Sequence, residues 1–174
     1  IDVGVEAILA PAGSVDSGTS VVPTAVVRNY GIGVAVFPVR FTIGGFYTDE
    51  CTLSLAGGAA DTVGFAPWTA LQRGPHITQC TTACLNDTNS YNDVRTGLVT
   101  VRVRDVGTVQ VIAPRGLLPV GDTVTPRAAV RNYGTSSEDF IAVFRIGAGY
   151  TDTARVAGLL PGAEQVLAFR QWIA

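Results

Sequence analysis

The chain has no lysine, no methionine, one histidine and three cysteines, and only 15% of its 174 residues are charged, 12 Arg against 14 Asp and Glu. Each shortage excludes something. A formal net charge of −2 offers no basic footprint for a phosphate backbone, so no nucleic-acid partner is expected. A lone His76 without Cys-x-x-Cys spacing leaves no zinc-type ligand set, and no serine sits in a nucleophile-elbow context. The sequence therefore assigns no catalytic residue, no metal and no cofactor, and an enzyme is the least favoured reading. No apolar run approaches the roughly 20 residues of a membrane span. The absent lysines exclude Lys–Asn isopeptide braces and lysine-linked polymers, so any assembly is non-covalent or runs through cysteine. Without methionine, Ile1 is not an initiator, and the chain is expected to be a processed product or an excerpt.

What is present is apolar and punctuated. Hydrophobic residues make up 47%, with 20 Gly and 9 Pro, the composition of ordered, turn-rich structure. The chain also repeats itself at an offset of 103 residues. Asp2-Val3-Gly4, Pro11, Gly13, Gly18, Pro23 and Val27-Arg28-Asn29-Tyr30-Gly31 recur as Asp105-Val106-Gly107, Pro114, Gly116, Gly121, Pro126 and Val130-Arg131-Asn132-Tyr133-Gly134. Ala174 matches Ala70, so nothing in the second copy answers to residues 71–104. Two domains follow, a complete one at 1–104 and an incomplete one at 105–174.

Two-residue alternation dominates both copies, and no stretch sustains a helical period. Ala25 and Val27 are expected inward with Thr24 and Arg28 outward, and Ala128 and Val130 inward with Arg127 and Arg131 outward. Phe37, Val39, Phe41 and Ile43 form the next inward face, matched by Phe140, Ala142, Phe144 and Ile146. Asn-Tyr-Gly supplies turn chemistry between these strands. Seven antiparallel strands are expected in the first domain, at 2–10, 20–29, 36–43, 47–55, 62–69, 76–83 and 97–104. The fold class is all-β: two tandem immunoglobulin-like (fibronectin-like) Greek-key β-sandwiches, the second lacking its last two strands. Trp68 and Trp172, one residue out of register, are expected to close one end of each sandwich. The last strand is expected to run through Arg104-Asp105 into the second copy without a flexible linker, giving a rod.

The Asp-Val-Gly opening, the Pro about nine residues on, Val-Pro-x-Ala-Val-Val-Arg-Asn-Tyr-Gly, Phe-x-Val-x-Phe-x-Ile and the late Trp resemble bacterial cell-adhesion-related (CARDB-type) domains. The resemblance covers residues 2–104 and, in its first two thirds, 105–174. It implies immunoglobulin-like or fibronectin-like modules, usually in tandem on secreted and surface proteins, and hence an extracellular or cell-surface prokaryotic location. Its motifs lie mostly at core and turn positions, so they speak to fold more than to function.

Few residues qualify as sites. Asn86 to Asp93 is a polar run whose Asp87, Asn89 and Asp93 are weak Ca²⁺ candidates; it lacks the Gly and bidentate Glu of an EF-hand loop and reads better as a turn. Asn86-Asp87-Thr88 is a glycosylation sequon, so a glycan on Asn86 is a candidate modification. Among Cys51, Cys80 and Cys84, residues 80 and 84 are about 13 Å apart on an extended strand, so Cys51 with Cys80 or Cys84 is the preferred disulfide, which implies an oxidising compartment. Without the last two strands, the Phe140 to Ile146 strand keeps an open edge on which copies of the chain are expected to assemble. The favoured reading is a non-covalently assembled homo-polymer, a subunit of an extracellular or cell-surface fibre completed by strand donation. The competing reading is a binding or adhesion accessory module of a longer secreted protein. In a third view the missing strands simply follow Ala174.

Overall fold

A computed structural model describes residues 1–174, which fall into two compact units, Ile1–Arg102 and Val103–Ala174. Unit 1 contains β1 (Val3–Ala10), β2 (Gly13–Asp16), β3 (Ser20–Val21), β4 (Thr24–Asn29), β5 (Ala35–Ile43), β6 (Tyr47–Leu55), β7 (Ala60–Gly64), β8 (Trp68–Thr69), β9 (Gly74–Thr82) and β10 (Val94–Arg102). One sheet has the order β1-β4-β7 and the facing one β2-β10-β9-β5-β6, with β3 and β8 as a short pair. The alternation read from the sequence is the packing pattern: Ala25, Val27, Val39, Phe41 and Ile43 are fully buried between the sheets, and Phe41 meets Phe65 at 5.2 Å between ring centroids. Together with Val99 and Val101 of β10 they belong to a core of seventeen buried side chains.

Two local features depart from the seven expected strands. Pro23, which has no N–H to donate, splits 20–29 into β3, paired with β8, and β4, paired with β1 and β7. Gly13, at φ +66°, turns the chain out of the first sheet, and the following residues become β2, a strand parallel to β10 in the second sheet. An all-antiparallel reading had no place for it.

Unit 2 contains β11 (Val106–Ala113), β12 (Thr123–Val124), β13 (Arg127–Asn132), β14 (Glu138–Ile146), β15 (Tyr150–Leu159), β16 (Glu164–Ala168) and β17 (Trp172–Ile173). Its first sheet, β11-β13-β16, repeats β1-β4-β7, and β12-β17 repeats β3-β8, but the second sheet is only β14-β15. No strand corresponds to β2, because β2 pairs with β10 and unit 2 has no counterpart of β10. The one-residue slip between the tryptophans is taken up by a bulge in β15, where Phe140 faces Val156 and Glu138 faces Leu159. Gly158 supplies the φ of +63° there, and its N–H donates to Asp139 Oδ1 at 2.6 Å.

The expected continuous strand across the junction does not form. β10 ends at Arg102 and β11 begins at Val106. The backbone in between is engaged by the Asn-Tyr-Gly loop of unit 2: Asp105 O accepts from Tyr133 N and Gly134 N, and Val103 O from Thr135 N. In unit 1, Asp2 O accepts from Tyr30 N and Gly31 N in the same way.

The asparagine of this motif is a buried clasp in both units. Asn29 is fully buried; its Nδ2 donates to Gly33 O at 2.7 Å and Leu55 O at 2.9 Å, and its Oδ1 accepts from Gly31 N at 2.9 Å. Asn132 makes the same set with Ser136 O, Leu159 O and Gly134 N at 2.7, 2.7 and 2.8 Å. The adjoining Arg28 and Arg131 lie over the rings of Tyr30 and Tyr133. The asparagine side chain and the backbone amides that follow it thus hold a loop to a strand end in both units.

Candidate functional site

In unit 1, β5 is paired on both sides, by β6 and β9; in unit 2 its counterpart β14 is paired by β15 alone. The edge predicted at Phe140, Ala142, Phe144 and Ile146 is therefore open. Phe144 is buried, but the other three are only half covered, whereas Phe37, Val39 and Ile43 at the matching positions are at most 1% exposed. The facing wall is uncovered too: Val3 is fully buried, and its counterpart Val106 is 38% exposed. Between β14 and β11 lies an open groove of ≈ 330 Å³, lined by Val106, Thr108, Val130, Phe140, Ala142 and Phe144 among others. Only seven buried side chains remain in the core of unit 2, against seventeen in unit 1.

The groove also presents unsatisfied backbone. In unit 1 the loop between β9 and β10 closes the outer edge of β1: Val3 N donates to Asp87 Oδ2 at 2.9 Å and Val5 N to Asn92 O at 2.8 Å. Val106 N and Thr108 N, the matching amides of β11, have no such partner. Together with the free edge of β14, the two walls offer donors and acceptors that an added strand can take.

The Asn86–Asp93 run is thereby explained as a staple. Asp87 spends Oδ2 on Val3 N and Oδ1 on Asn89 N, Thr88 N donates to Ile1 O, and Asn92 Nδ2 donates to Asp2 Oδ1. Asp93 receives Thr82 Oγ1 at 3.4 Å, and burial, helped by the nearby Asp87 carboxylate, raises its pKa. Asp2 is a member of this cluster that its remote sequence position hid. Asn89 enters through its backbone, and no three His, Cys, Asp or Glu side chains are grouped to hold a metal ion. Asn86 is exposed at the tip of the loop with φ 62°, so its amide is accessible.

His76 lies edge-on to Phe46 at 4.9 Å, its Nε2 2.6 Å from Gln72 O, with no nucleophile among these contacts. Phe46 stacks in turn on Trp68, which is 4% exposed. Trp172 is only half buried, because Gly149 stands where unit 1 has Phe46.

The expected disulfide is not formed: Cys51, Cys80 and Cys84 are free. Cys51 on β6 faces Val39 and Cys80 on β9 faces Phe41, so β5 lies between the two strands. Two strand spacings are about 10 Å, beyond disulfide reach, and Cys84 follows the same side of β5 as Cys80. Burial, with a smaller contribution from Cys51, pushes the Cys80 thiol up to about 12. At pH 8 its thiolate fraction is then about one in ten thousand. Native protein treated with a thiol reagent at pH 8 is expected to leave Cys80 unmodified, with mass spectrometry after denaturation recovering its reactivity; rapid native labelling of Cys80 would contradict the buried placement.

These two sandwiches, with a shared clasp and a shared core pattern, define immunoglobulin-like β-modules. No family model and no curated protein matches the sequence. Among solved structures, the chain is similar to the CARDB domain of the PF1109 protein of Pyrococcus furiosus, solved in complex with di-metal ions, at 30% identity over 57% of this chain and 87% of that one, with a TM-score of 0.51. The solution structure of the same domain matches at 26% identity over 57% and 94%, with a TM-score of 0.50. The chain belongs to the CARDB-type family. Domains of this type are non-enzymatic folds associated with cell-surface proteins, and no helix here is long and apolar enough to cross a membrane.

Proposed function

We propose that this chain is a structural subunit of an extracellular or cell-surface fibre, not an enzyme, and that its second sandwich is completed by a β-strand supplied from another copy. The observation that carries this reading is the open β14 edge with its groove, because the repeat supplies an internal control. The same chain closes that position in unit 1 with β9 and β10 and leaves it apolar and unpaired in unit 2. An unpaired apolar edge is an association site unless something covers it, and a head-to-tail donation that does not close on itself propagates as a filament. With no lysine in the chain, no isopeptide bond can link the copies, and a strand added at β14 is held by its backbone ladder and apolar contacts.

The test is size-exclusion chromatography and electron microscopy of the full chain. Fibres or higher oligomers are expected, and they are expected to be dispersed by Phe144→Asp. Because Phe144 is itself buried, Val143→Lys provides a second variant: Val143 is 54% exposed on the outer face of β14, where lysine leaves the fold intact but opposes an apolar contact. Soluble monomers of the unmodified chain, with unit 2 fully protected from exchange, would remove the basis for the proposal.

A further inference from the structure

Building on strand acceptance at β14, we propose that the groove is selective: it takes an extended strand antiparallel to β14 that sets a large apolar side chain opposite Ala142 and a carboxylate opposite Arg145. The register comes from the repeat. In unit 1, β9 runs antiparallel to β5 with Thr82 opposite Val39, Cys80 opposite Phe41, Gln79 opposite Thr42 and Thr78 opposite Ile43. Shifted by 103 residues, the positions opposite Ala142, Phe144 and Ile146 face the groove, and those opposite Val143 and Arg145 face outward.

The strand that fills unit 1 presents small, buried side chains there, Thr78, Cys80 and Thr82, because its neighbours are large. At the Thr82 level the cross-strand pair beneath is Val39 with Cys51. In unit 2 that pair is Ala142 with Ala154. Two methyl groups and a sulfur are missing, and the facing Val130 and Ala128 repeat Val27 and Ala25 without compensation. On the wall of the groove this leaves Ala142 as a small residue between Phe140 and Phe144. A threonine there would leave a void, whereas leucine or phenylalanine would fill it.

The outer face has changed in the same direction. Arg40, ion-paired to Glu50, is replaced by Val143 opposite Thr153, and Pro38 by Ile141, which is 68% exposed. Arg145, at the position of Thr42, is exposed and makes no ion pair. An incoming strand therefore meets apolar neighbours on both faces and one unpaired cation, to which a carboxylate at the Gln79 level is the complement.

The probe is a synthetic peptide of residues 74–102 with Cys80→Ala and Cys84→Ala, in two versions, one otherwise unchanged and one with Thr82→Leu and Gln79→Glu. Binding to the monomeric fraction of the full chain is read by fluorescence anisotropy of the labelled peptide. The substituted peptide is expected to bind about tenfold more tightly. Ala142→Leu in the protein should cancel the leucine advantage, and Arg145→Glu should turn the glutamate into a penalty. Equal binding of the two peptides, or a preference unaffected by those protein variants, overturns the selectivity while leaving strand acceptance standing. Failure of both peptides to bind, with β14 still in rapid exchange, overturns the two readings together.

Discussion

Asn29→Asp is expected to destabilise unit 1 more than Asn29→Ala, although it changes one atom. The alanine variant empties the clasp, strands the Gly33 and Leu55 carbonyls and leaves the Gly31 N–H only its longer bond to Asp2 O. Leaving buried groups unpaired costs about 1–3 kcal/mol each when water cannot reach them, so a total near 3–5 kcal/mol is reasonable for partly accessible partners. The aspartate variant keeps the acceptor for Gly31 N but turns an oxygen toward two carbonyl oxygens at the distances where Nδ2 now donates. It adds repulsion and a buried charge to the loss. A domain of this size shifts its melting temperature by about 4–8 °C per kcal/mol. Calorimetry of the full chain should therefore show the unit 1 transition lowered by at least about 15 °C, and Asn132→Asp should act in the same way on unit 2. A shift of only a few degrees would mean that the clasp is solvated and that the motif owes its recurrence to something else.

In hydrogen exchange on dispersed monomers, β5 is expected to be protected along its whole length, whereas every second amide of β14 exchanges within the time of mixing, together with Val106 and Thr108. The reason is pairing: β5 lies between two ladders and β14 has one. In the assembled state the same β14 amides should become protected by about a thousandfold or more, since an added ladder must open before exchange. Mass spectrometry with peptides covering 104–112 and 138–146 resolves the change. Protection in β14 equal to that in β5 before any assembly would show that the edge is already closed, and with it the groove.

Much of the fold was written in local pattern. Alternation of period two assigned Phe37, Val39, Phe41 and Ile43 to one buried face, because side chains on a strand alternate sides whatever the strand pairs with. The 103-residue offset marked Phe140 to Ile146 as an edge without any coordinates, since one copy has residues where the other stops. What escaped the sequence depended on neighbours distant in the chain. The Asn86–Asp93 run reads as a turn from its sequence, and its further part, the Asp87 carboxylate capping the edge of β1, involves a partner 84 residues away. Parallel β2 exists through its pairing with β10, and the cysteines cannot bond because β5 runs between them.

By itself, then, the sequence determined the strand faces, the repeat, the Asn-Tyr-Gly turns and the exclusion of lysine chemistry, all of which depend on residue type and spacing along one chain. Only the tertiary structure decided which strands are neighbours, and that in turn decided the rest: that the three thiols stay free, that the polar loop is a staple, and that an unpaired β14 leaves a groove in which Ala142 stands where unit 1 has Val39. Strand order is set by burial and pairing across the whole sandwich, and no window of residues along the chain contains it.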